Sequence, residues 1–194
     1  MDDKIFFDEL REHQFDGSLS QGQVDNINCI LNAWDKYKPQ SDPRFIAYSL
    51  GTVYRECGSH MNPVEENGHG RGKKYGKPTG KFKQVYFGRG YVQLTWDYNY
   101  KFADEKLHEL GILGTSVSLL REPELALKQE IAAPILVLGM IEGWFNHRKL
   151  SDFFVGTRSD WVDARTIING HDHAQLVASY GMTFYHALTT ARAA

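Results

Sequence analysis

The sequence has few cysteines and no long hydrophobic segment. Its two cysteines, Cys29 and Cys57, are too few for a disulfide framework or a structural zinc site. The longest apolar run, residues 131–141, is interrupted by Pro134 and Gly139 and is shorter than the roughly 20 residues that span a bilayer. The N-terminus lacks the basic and apolar segments of a signal peptide. We therefore expect a protein made in the cytoplasm without a signal peptide and without stable membrane insertion.

Negative charge is missing from one stretch of the chain. Residues 67–96 contain seven Lys or Arg residues and no Asp or Glu, whereas the whole chain has a formal net charge of −2. The remainder must therefore carry −9, the difference between −2 and +7. A cationic segment on an acidic body suggests contact with an anionic or carboxylate-bearing polymer, and a solvated basic loop is the alternative. We do not favour a nucleic-acid partner, because the charges are mostly Lys spaced by glycines rather than Arg-Gly-Gly repeats.

Length and hydrophobic spacing predict a mainly helical protein. The 194 residues, 42% apolar, suit one packed domain, so we predict a single domain over 1–194 and a monomer. Ser20 with Gln23, and Asp42 with Pro43, mark the starts of two helices, of which the second ends near Cys57. Alternating polar and apolar residues predict a short strand over 91–96. The other predicted helices lie near residues 5–10, 97–110, 124–127, 129–145, 161–168 and 174–191.

Two glutamates nine residues apart, Glu56 and Glu65, are the candidate catalytic pair. On one continuous helix they would be separated by a rise of about 13.5 Å, whereas the two carboxyl groups of an inverting glycosidase lie about 6.5–9.5 Å apart. Gly58 and Pro63 break helices and let the chain turn back. Glu56 falls in the last turn of a predicted helix, where the negative helix end disfavours the ionised carboxylate, as a general acid requires. Glu66 is a rival of Glu65 for the second role.

Two other patterns suggest different chemistry. Cys57 beside Glu56 suggests a thiol nucleophile, since eight histidines are present, but the C-terminal end of a helix disfavours the thiolate. His171 and His173 have the spacing His-x-His without a nearby Cys or a third ligand, so we favour a turn over a metal site. We therefore predict no metal and no other cofactor.

Several motifs resemble glycoside hydrolase family 19, and more narrowly its phage and bacterial endolysin branch. The specific part is the sequence Gly-Arg-Gly-x-x-Gln-Leu-Thr, which begins at Gly88. The resemblance covers nearly the whole chain. It is carried by residues 52–57, 61–65, 86–96, 99–100, 139–145 and 164–170.

The resemblance implies a lysozyme-like fold, mainly α (α+β), with two helical lobes and a small β-hairpin beside a central cleft. It implies hydrolysis of β-1,4 links between N-acetylated amino sugars, by inversion and without a metal. By matching position, Glu56 resembles the general acid, Glu65 the second carboxylate, and Thr95 the hydroxyl residue that helps to hold the attacking water. The predicted substrate contacts are Gln93, Asn99, Asn169, Tyr91 and Arg89.

Two positions depart from the family pattern. Arg55 stands where histidine is common, and a guanidinium paired with Glu56 would favour the charged carboxylate and oppose the acid role. Phe87 replaces a common tyrosine. The leading functional interpretation is an endolysin that acts on peptidoglycan in the cell wall after release from the cytoplasm. A chitinase with the same catalytic residues is the alternative, and Arg55 favours a third interpretation, a catalytically silent glycan-binding protein.

Overall fold

The computed structural model describes residues 1–194, and most of its regular structure is α-helical. The helices are α1 (Asp3–His13), α2 (Gln21–Tyr37), α3 (Pro43–Cys57), α4 (Asp97–Glu109), α5 (Gln129–Glu142) and α6 (Ala174–Ala193). The strands are β1 (Val64–Glu65), β2 (Arg89–Gly90), β3 (Phe154–Val155) and β4 (Arg158–Ser159), and 3₁₀ helices cover Lys74–Gly76, Pro123–Leu127, Leu150–Asp152 and Asp163–Ile167. The mainly α class with a small β element is confirmed.

The chain divides into two compact units. The terminal unit consists of residues 1–61 and 137–194, and the middle unit consists of residues 62–136. Single-domain organisation over 1–194 stays a prediction. None of the six helices combines the length and the apolar composition that crossing a membrane requires.

The predicted helix starts are confirmed at the level of individual hydrogen bonds. Ser20 and Gln23 form a capping box at the start of α2, in which each side chain bonds the other residue's backbone N–H. Asp42 accepts a hydrogen bond from the backbone N–H of Arg44, and Pro43 occupies the first position of α3. These local contacts satisfy backbone groups that a helix leaves unpaired at its N-terminus.

In the terminal unit, α3 packs closely against α6. A Cβ atom at Gly51 would lie 2.6 Å from the backbone nitrogen of Gly181, so only glycine lets the two helices approach this closely. Tyr48 of α3 also packs against Phe154 of β3 and against Trp161, with ring centroids 5.7 and 6.3 Å away. This packing fixes the helix that carries Glu56.

In the middle unit, β1 and β2 form a two-stranded antiparallel sheet. Val64 lies opposite Gly90, and Glu65 lies opposite Arg89. A Cβ atom at Gly90 would lie 2.7 Å from the carbonyl oxygen of Ala126, which explains the glycine at this position. The sheet therefore brings Glu65 beside the glycine-rich motif.

The predicted strand over 91–96 is wrong. Residues 91–93 form a turn, which is closed by hydrogen bonds from the Arg89 N–H to the Leu94 carbonyl and from the Leu94 N–H to the Arg89 carbonyl. Gln93 has φ +54°, which a strand does not allow. The polar–apolar alternation arises because a tight turn also points successive side chains in different directions.

Three predicted helices differ in type or in length. The segments near 124–127 and 161–168 are 3₁₀ helices, over Pro123–Leu127 and Asp163–Ile167. The helix predicted to reach residue 145 ends at Glu142, because Gly143 takes φ +78° and leaves the helical conformation.

Candidate active-site residues

In the terminal unit, Glu56 is held at the end of α3 by a buried arginine. Its Oε1 atom lies 2.6 Å from Nη2 of Arg165, and the Arg165 side chain is only 2% exposed against 17% for Glu56. The contact is an ion pair, and Glu56 Oε1 has no hydrogen-bond partner. The carbonyl of Asp172 accepts a hydrogen bond from Arg165 Nε at 2.9 Å and fixes the guanidinium. The turn at residues 171–173 thus has a structural role.

The ion pair of Glu56 comes from Arg165 and not from its sequence neighbour. Arg55 Nε is buried without a hydrogen-bond partner. The guanidinium that pairs with Glu56 is therefore that of Arg165, and the pairing with Arg55 that the sequence suggested is not formed.

A line of polar side chains runs along α3 towards Glu56. Tyr48 and Thr52 precede Glu56 by eight and four residues, so all three lie on one helix face. Tyr48 Oη, Thr52 Oγ1 and Arg165 Nη1 are buried without hydrogen-bond partners. Burial raises the pKa of Tyr48, with Arg165 opposing the rise and Glu56 adding to it. Unsatisfied buried polar atoms next to a carboxylate are typical of a functional site rather than of a core.

In the middle unit, Glu65 is flanked by two cationic or potentially cationic side chains. Its Oε1 atom lies 3.5 Å from Arg89 Nε, and its Oε2 atom lies 3.3 Å from His69 Nε2. The Glu65 side chain is 37% exposed, whereas Arg89 is 7% exposed. Both flanking groups also contact Phe87, since His69 stacks on its ring at 4.8 Å and the Arg89 guanidinium lies over it at 3.5 Å. This carboxylate is open to solvent on a rigid support.

Arg89 is anchored on its other side by main-chain and phenolic oxygens. Its Nη1 atom donates to the carbonyls of Val85 and Phe87 and to the hydroxyl of Tyr100. Tyr100 in turn donates to the Phe87 carbonyl at 2.9 Å. Burial raises the pKa of Tyr100 to about 12, with Arg89 opposing the rise. These contacts make Arg89 a support for Glu65, and its role as a substrate contact stays a prediction.

The neighbouring Glu66 is occupied by structural contacts. Its Oε1 atom accepts a hydrogen bond from the Tyr75 hydroxyl at 2.7 Å, and its Oε2 atom accepts one from the Gly88 N–H at 3.1 Å. Burial and this bond raise the pKa of Tyr75 to about 12. Of the two adjacent glutamates, Glu65 is the one whose oxygens remain accessible.

Three predicted site residues are joined by hydrogen bonds through the backbone. Asn99 Nδ2 donates to the Thr95 carbonyl, and Thr95 Oγ1 donates to the Gln93 carbonyl at 2.7 Å. Gln93 Nε2 donates to the carbonyls of Val64 and Gly90. The chain of contacts ends next to Glu65. It fixes all three side chains. The Thr95 hydroxyl uses its one hydrogen in this chain, so its oxygen can only accept further hydrogen bonds.

The two remaining predicted contacts differ in exposure. Tyr91 is fully buried, so its ring cannot stack on a sugar in this conformation, and substrate contact would require it to move. Asn169 is exposed directly after the last 3₁₀ helix, and its N–H donates to the Arg165 carbonyl. It therefore lies one turn from the arginine that holds Glu56.

The two histidines that suggested a metal site, and the cysteine that suggested a thiol nucleophile, have structural surroundings that do not support either chemistry. His171 contacts Asp163 and His173 contacts Asp172, and the structure brings together no group of three His, Cys, Asp or Glu side chains that could hold an ion. Cys57 is buried at the C-terminal end of α3, where the thiolate is disfavoured.

Sequence reasoning missed two contacts of the candidate carboxylates. The pairing of His69 with Glu65 had a signal, namely a histidine four residues after the glutamate. The pairing of Arg165 with Glu56 had none, because 109 residues separate the partners and only the packing of the terminal unit joins them.

Comparisons with known proteins show the fold. No protein-family model and no curated protein matches the sequence. Among solved structures, the chain is similar to chitinase C from Streptomyces griseus, with a TM-score of 0.54 and 19% identity over 93% of this chain and 75% of that one. It is also similar to a chitinase C mutant with glutamine in place of one glutamate, with a TM-score of 0.53 and 20% identity over 96% of this chain and 91% of the other. The chain thus shares the fold of chitinase C, and this similarity confirms the mainly α, lysozyme-like fold class.

Proposed function

We propose that the protein is a glycoside hydrolase that cleaves β-1,4 links of N-acetylated amino-sugar polymers. The observation that carries this proposal is the presence of two glutamates, each beside a buried arginine, on a fold shared with chitinase C. Glu56 is the proposed general acid and Glu65 the proposed general base. Acid–base assistance by each group contributes roughly 10²–10⁴-fold to the rate.

The surroundings of Glu65 support the role of base. The Glu65 side chain is 37% exposed beside Arg89, so water can reach the carboxylate and pass a proton to it. The Thr95 hydroxyl donates its one hydrogen bond to the Gln93 carbonyl, so it can only accept a hydrogen bond from water. A water molecule that donates one hydrogen bond to Thr95 and the other to Glu65 is oriented for attack on a sugar carbon, and Glu65 then takes its proton.

The surroundings of Glu56 place a condition on the role of acid. Arg165 forms an ion pair with Glu56, whereas proton donation requires a neutral carboxyl. The proposal therefore requires this ion pair to weaken when substrate binds. A glycan hydroxyl or acetamide oxygen that accepts a hydrogen bond from Arg165 and draws the guanidinium away from Glu56 would have this effect.

Peptidoglycan is the proposed substrate, which makes the protein an endolysin of phage or prophage type that acts on the cell wall after release. The distribution of charge supports this choice. The middle unit has eleven Lys or Arg against nine Asp or Glu, a formal charge of +2, whereas the terminal unit has eleven against fifteen, a charge of −4. Peptidoglycan carries carboxylates on its lactyl-peptide branches, and chitin is neutral.

Chitin is the second candidate substrate. It is favoured by the structural similarity to proteins named chitinase C. The two candidates share the same catalytic residues and differ in the room and charge needed for peptide branches.

Digestion of purified cell-wall sacculi and of chitin oligomers, followed by mass spectrometry, tests the proposal. A new reducing-end sugar from sacculi is the expected result, and a muramic acid end defines a muramidase while a glucosamine end defines a glucosaminidase. Cleavage of chitin alone would exclude the endolysin. Release of peptides without cleavage of a sugar link would overturn the glycosidase assignment. Proton NMR of the first anomer formed reports whether the configuration inverts.

A further inference from the structure

The middle unit contains two adjoining grooves that the proposed chemistry does not use. One groove, of about 220 Å³, is lined by residues that include Lys74, Lys77 and Trp96. The other, of about 430 Å³, is lined by residues that include Lys81 and Lys101. They adjoin because both are lined by Tyr86 and Asp97. We call the two together the basic groove.

The positive charges of the basic groove are not neutralised within the protein. Lys74, Lys77 and Lys81 are exposed and form no ion pair, and Lys101 has only a long contact of 3.8 Å with Glu105. Arg121 adds a fifth charge, because its guanidinium lies 5.4 Å from the Phe82 ring that lines the same groove. Like charges gathered without counter-ions raise the local concentration of an anionic partner.

Asp97 is the one acidic residue that lines the basic groove, and its carboxylate is already engaged. One oxygen accepts a hydrogen bond from the N–H of Tyr98 at the start of α4, and the other lies 3.5 Å from the Thr79 hydroxyl. The positive end of the helix partly offsets its charge. The groove as a whole therefore remains positive.

Aromatic rings line the basic groove beside these charges. Trp96 stacks on Tyr98 with ring centroids 5.9 Å apart and meets Tyr75 edge-on at 5.3 Å. Tyr98 is nonetheless 59% exposed, so its ring is open to solvent beside its contact with Trp96. An exposed ring beside unpaired lysines offers one surface for the apolar face of a sugar and another for a negative group.

We propose that the basic groove binds the peptide-bearing strand of peptidoglycan, with the lysines against stem-peptide carboxylates and Tyr98 against a sugar face. The inference rests on the proposed function and deepens it, because it names the part of the substrate that separates a cell wall from chitin. A nucleic acid is the other anionic polymer that such a groove could attract, and the competition experiment below separates the two.

Binding to intact and modified sacculi tests the groove without relying on hydrolysis. The full chain carrying Glu56→Gln is pelleted with purified sacculi, with sacculi whose carboxyl groups have been amidated, and with chitin. The triple variant Lys77→Gln/Lys81→Gln/Lys101→Gln is compared with a matched triple variant in the terminal unit, Lys4→Gln/Lys36→Gln/Lys149→Gln, which has the same net charge. If Glu56→Gln fails to fold, as judged by circular dichroism, the same pairs are compared in the wild-type background at low temperature and short contact time.

The expected result is that the groove triple variant binds intact sacculi about tenfold more weakly at low salt, with a shallower salt dependence, and that the control triple variant does not. The two triple variants bind amidated sacculi equally well, and they bind chitin equally well. Tyr98→Ala weakens binding to all three polymers, because it removes a sugar contact and no charge.

Three outcomes would overturn the inference. They are equal binding by the two triple variants, an equal loss on amidated sacculi, and displacement from sacculi by double-stranded DNA at equal charge concentration. The hydrolysis assay is separate. Activity on sacculi with charge-independent binding refutes the groove alone, and absence of hydrolysis with charge-dependent binding refutes the proposed function alone.

Discussion

The two units hold their candidate carboxylates in different ways. In the terminal unit, Glu56 ends a fifteen-residue helix and lies against Arg165, which is almost completely buried. In the middle unit, Glu65 belongs to a two-residue strand and is partly open to solvent, with Arg89 and His69 on either side. An enclosed carboxylate depends strongly on its single partner, whereas an open one is screened by water. The same residue type is thereby suited to two different roles.

The largest expected effect is the loss of activity when Glu56 changes. Glu56→Gln keeps the size of the side chain but cannot donate the carboxyl proton, so we expect glycan hydrolysis to fall about 10²–10⁴-fold. Release of reducing ends from sacculi and from chitin oligomers measures the change. Glu109→Gln is the matched control, because Glu109 also ends a helix. Unchanged activity in Glu56→Gln would exclude Glu56 as the general acid, and absence of hydrolysis by the wild type would favour a catalytically silent glycan-binding protein.

The two adjacent glutamates of the middle unit give the next comparison. Glu65→Gln removes the proposed base and reduces hydrolysis by about 10²–10⁴-fold. Glu66→Gln weakens the bonds to Tyr75 and Gly88 and costs about 1–2 kcal/mol of unfolding free energy, while activity stays within a few-fold. Urea denaturation and the reducing-end assay separate the two effects. If Glu66→Gln were as inactive as Glu65→Gln while remaining folded, Glu66 would be the base.

Removal of the arginine tests the dependence of the enclosed carboxylate on its partner. Arg165→Met leaves Glu56 without a positive neighbour and costs about 3 kcal/mol of unfolding free energy. The guanidinium also holds the Glu56 carboxyl in place, so we expect the kcat of glycan hydrolysis to fall by up to about 10²-fold in the remaining folded protein, with little change in KM.

Arg165→Lys is the control for this change, because it retains the charge and recovers part of the stability. A stability loss with an unchanged kcat in the folded protein would show that Arg165 supports the fold and does not act on the proposed acid.

The helix that carries Glu56 should be sensitive to small changes in packing. Gly51→Ala places a methyl group against the backbone of Gly181 and is expected to destabilise the protein by about 1–3 kcal/mol. Gly22→Ala, in α2, meets no atom within 4 Å and is expected to stabilise slightly through helix propensity. Thermal unfolding of both variants gives the comparison. Equal effects of the same sign would contradict the close approach of α3 and α6.

The smallest expected effect concerns Tyr100, whose hydroxyl helps to hold Arg89 beside Glu65, and the stability of the protein at high pH. The pKa of Tyr100 rises from 10.0 to about 12 on folding, so the folded state holds this proton more tightly than the unfolded state. Its contribution is complete below pH 10 and is lost as the pH rises towards 12.

Raising the pH from 8 to 11 lowers the unfolding free energy of the wild type. We expect this drop to be about 1 kcal/mol smaller in Tyr100→Phe, because the variant has no phenol to titrate. Urea denaturation at both pH values measures the difference, and Tyr98→Phe is the control, because it removes an exposed hydroxyl. An identical pH dependence in Tyr100→Phe and the wild type would show that this hydroxyl is not buried as described.

Short-range patterns predicted the helices better than the candidate site. The capping box at Ser20 and the start at Asp42 were predictable, because a cap is formed by residues within three positions of one another. The strand over 91–96 was predicted wrongly, because polar–apolar alternation does not distinguish a strand from a tight turn, whereas the positive φ of Gln93 does.

The sequence by itself determined where the helices begin, that Glu56 ends one of them, and that positive charge gathers between residues 67 and 96. Only the tertiary structure decided which partner each glutamate has. Arg165 reaches Glu56 from 109 residues away, and the pairing of β1 with β2 sets Glu65 opposite Arg89. The physical reason is that caps and charge runs depend on neighbours along the chain, whereas the partner of a buried charge depends on which distant segments share one packed core.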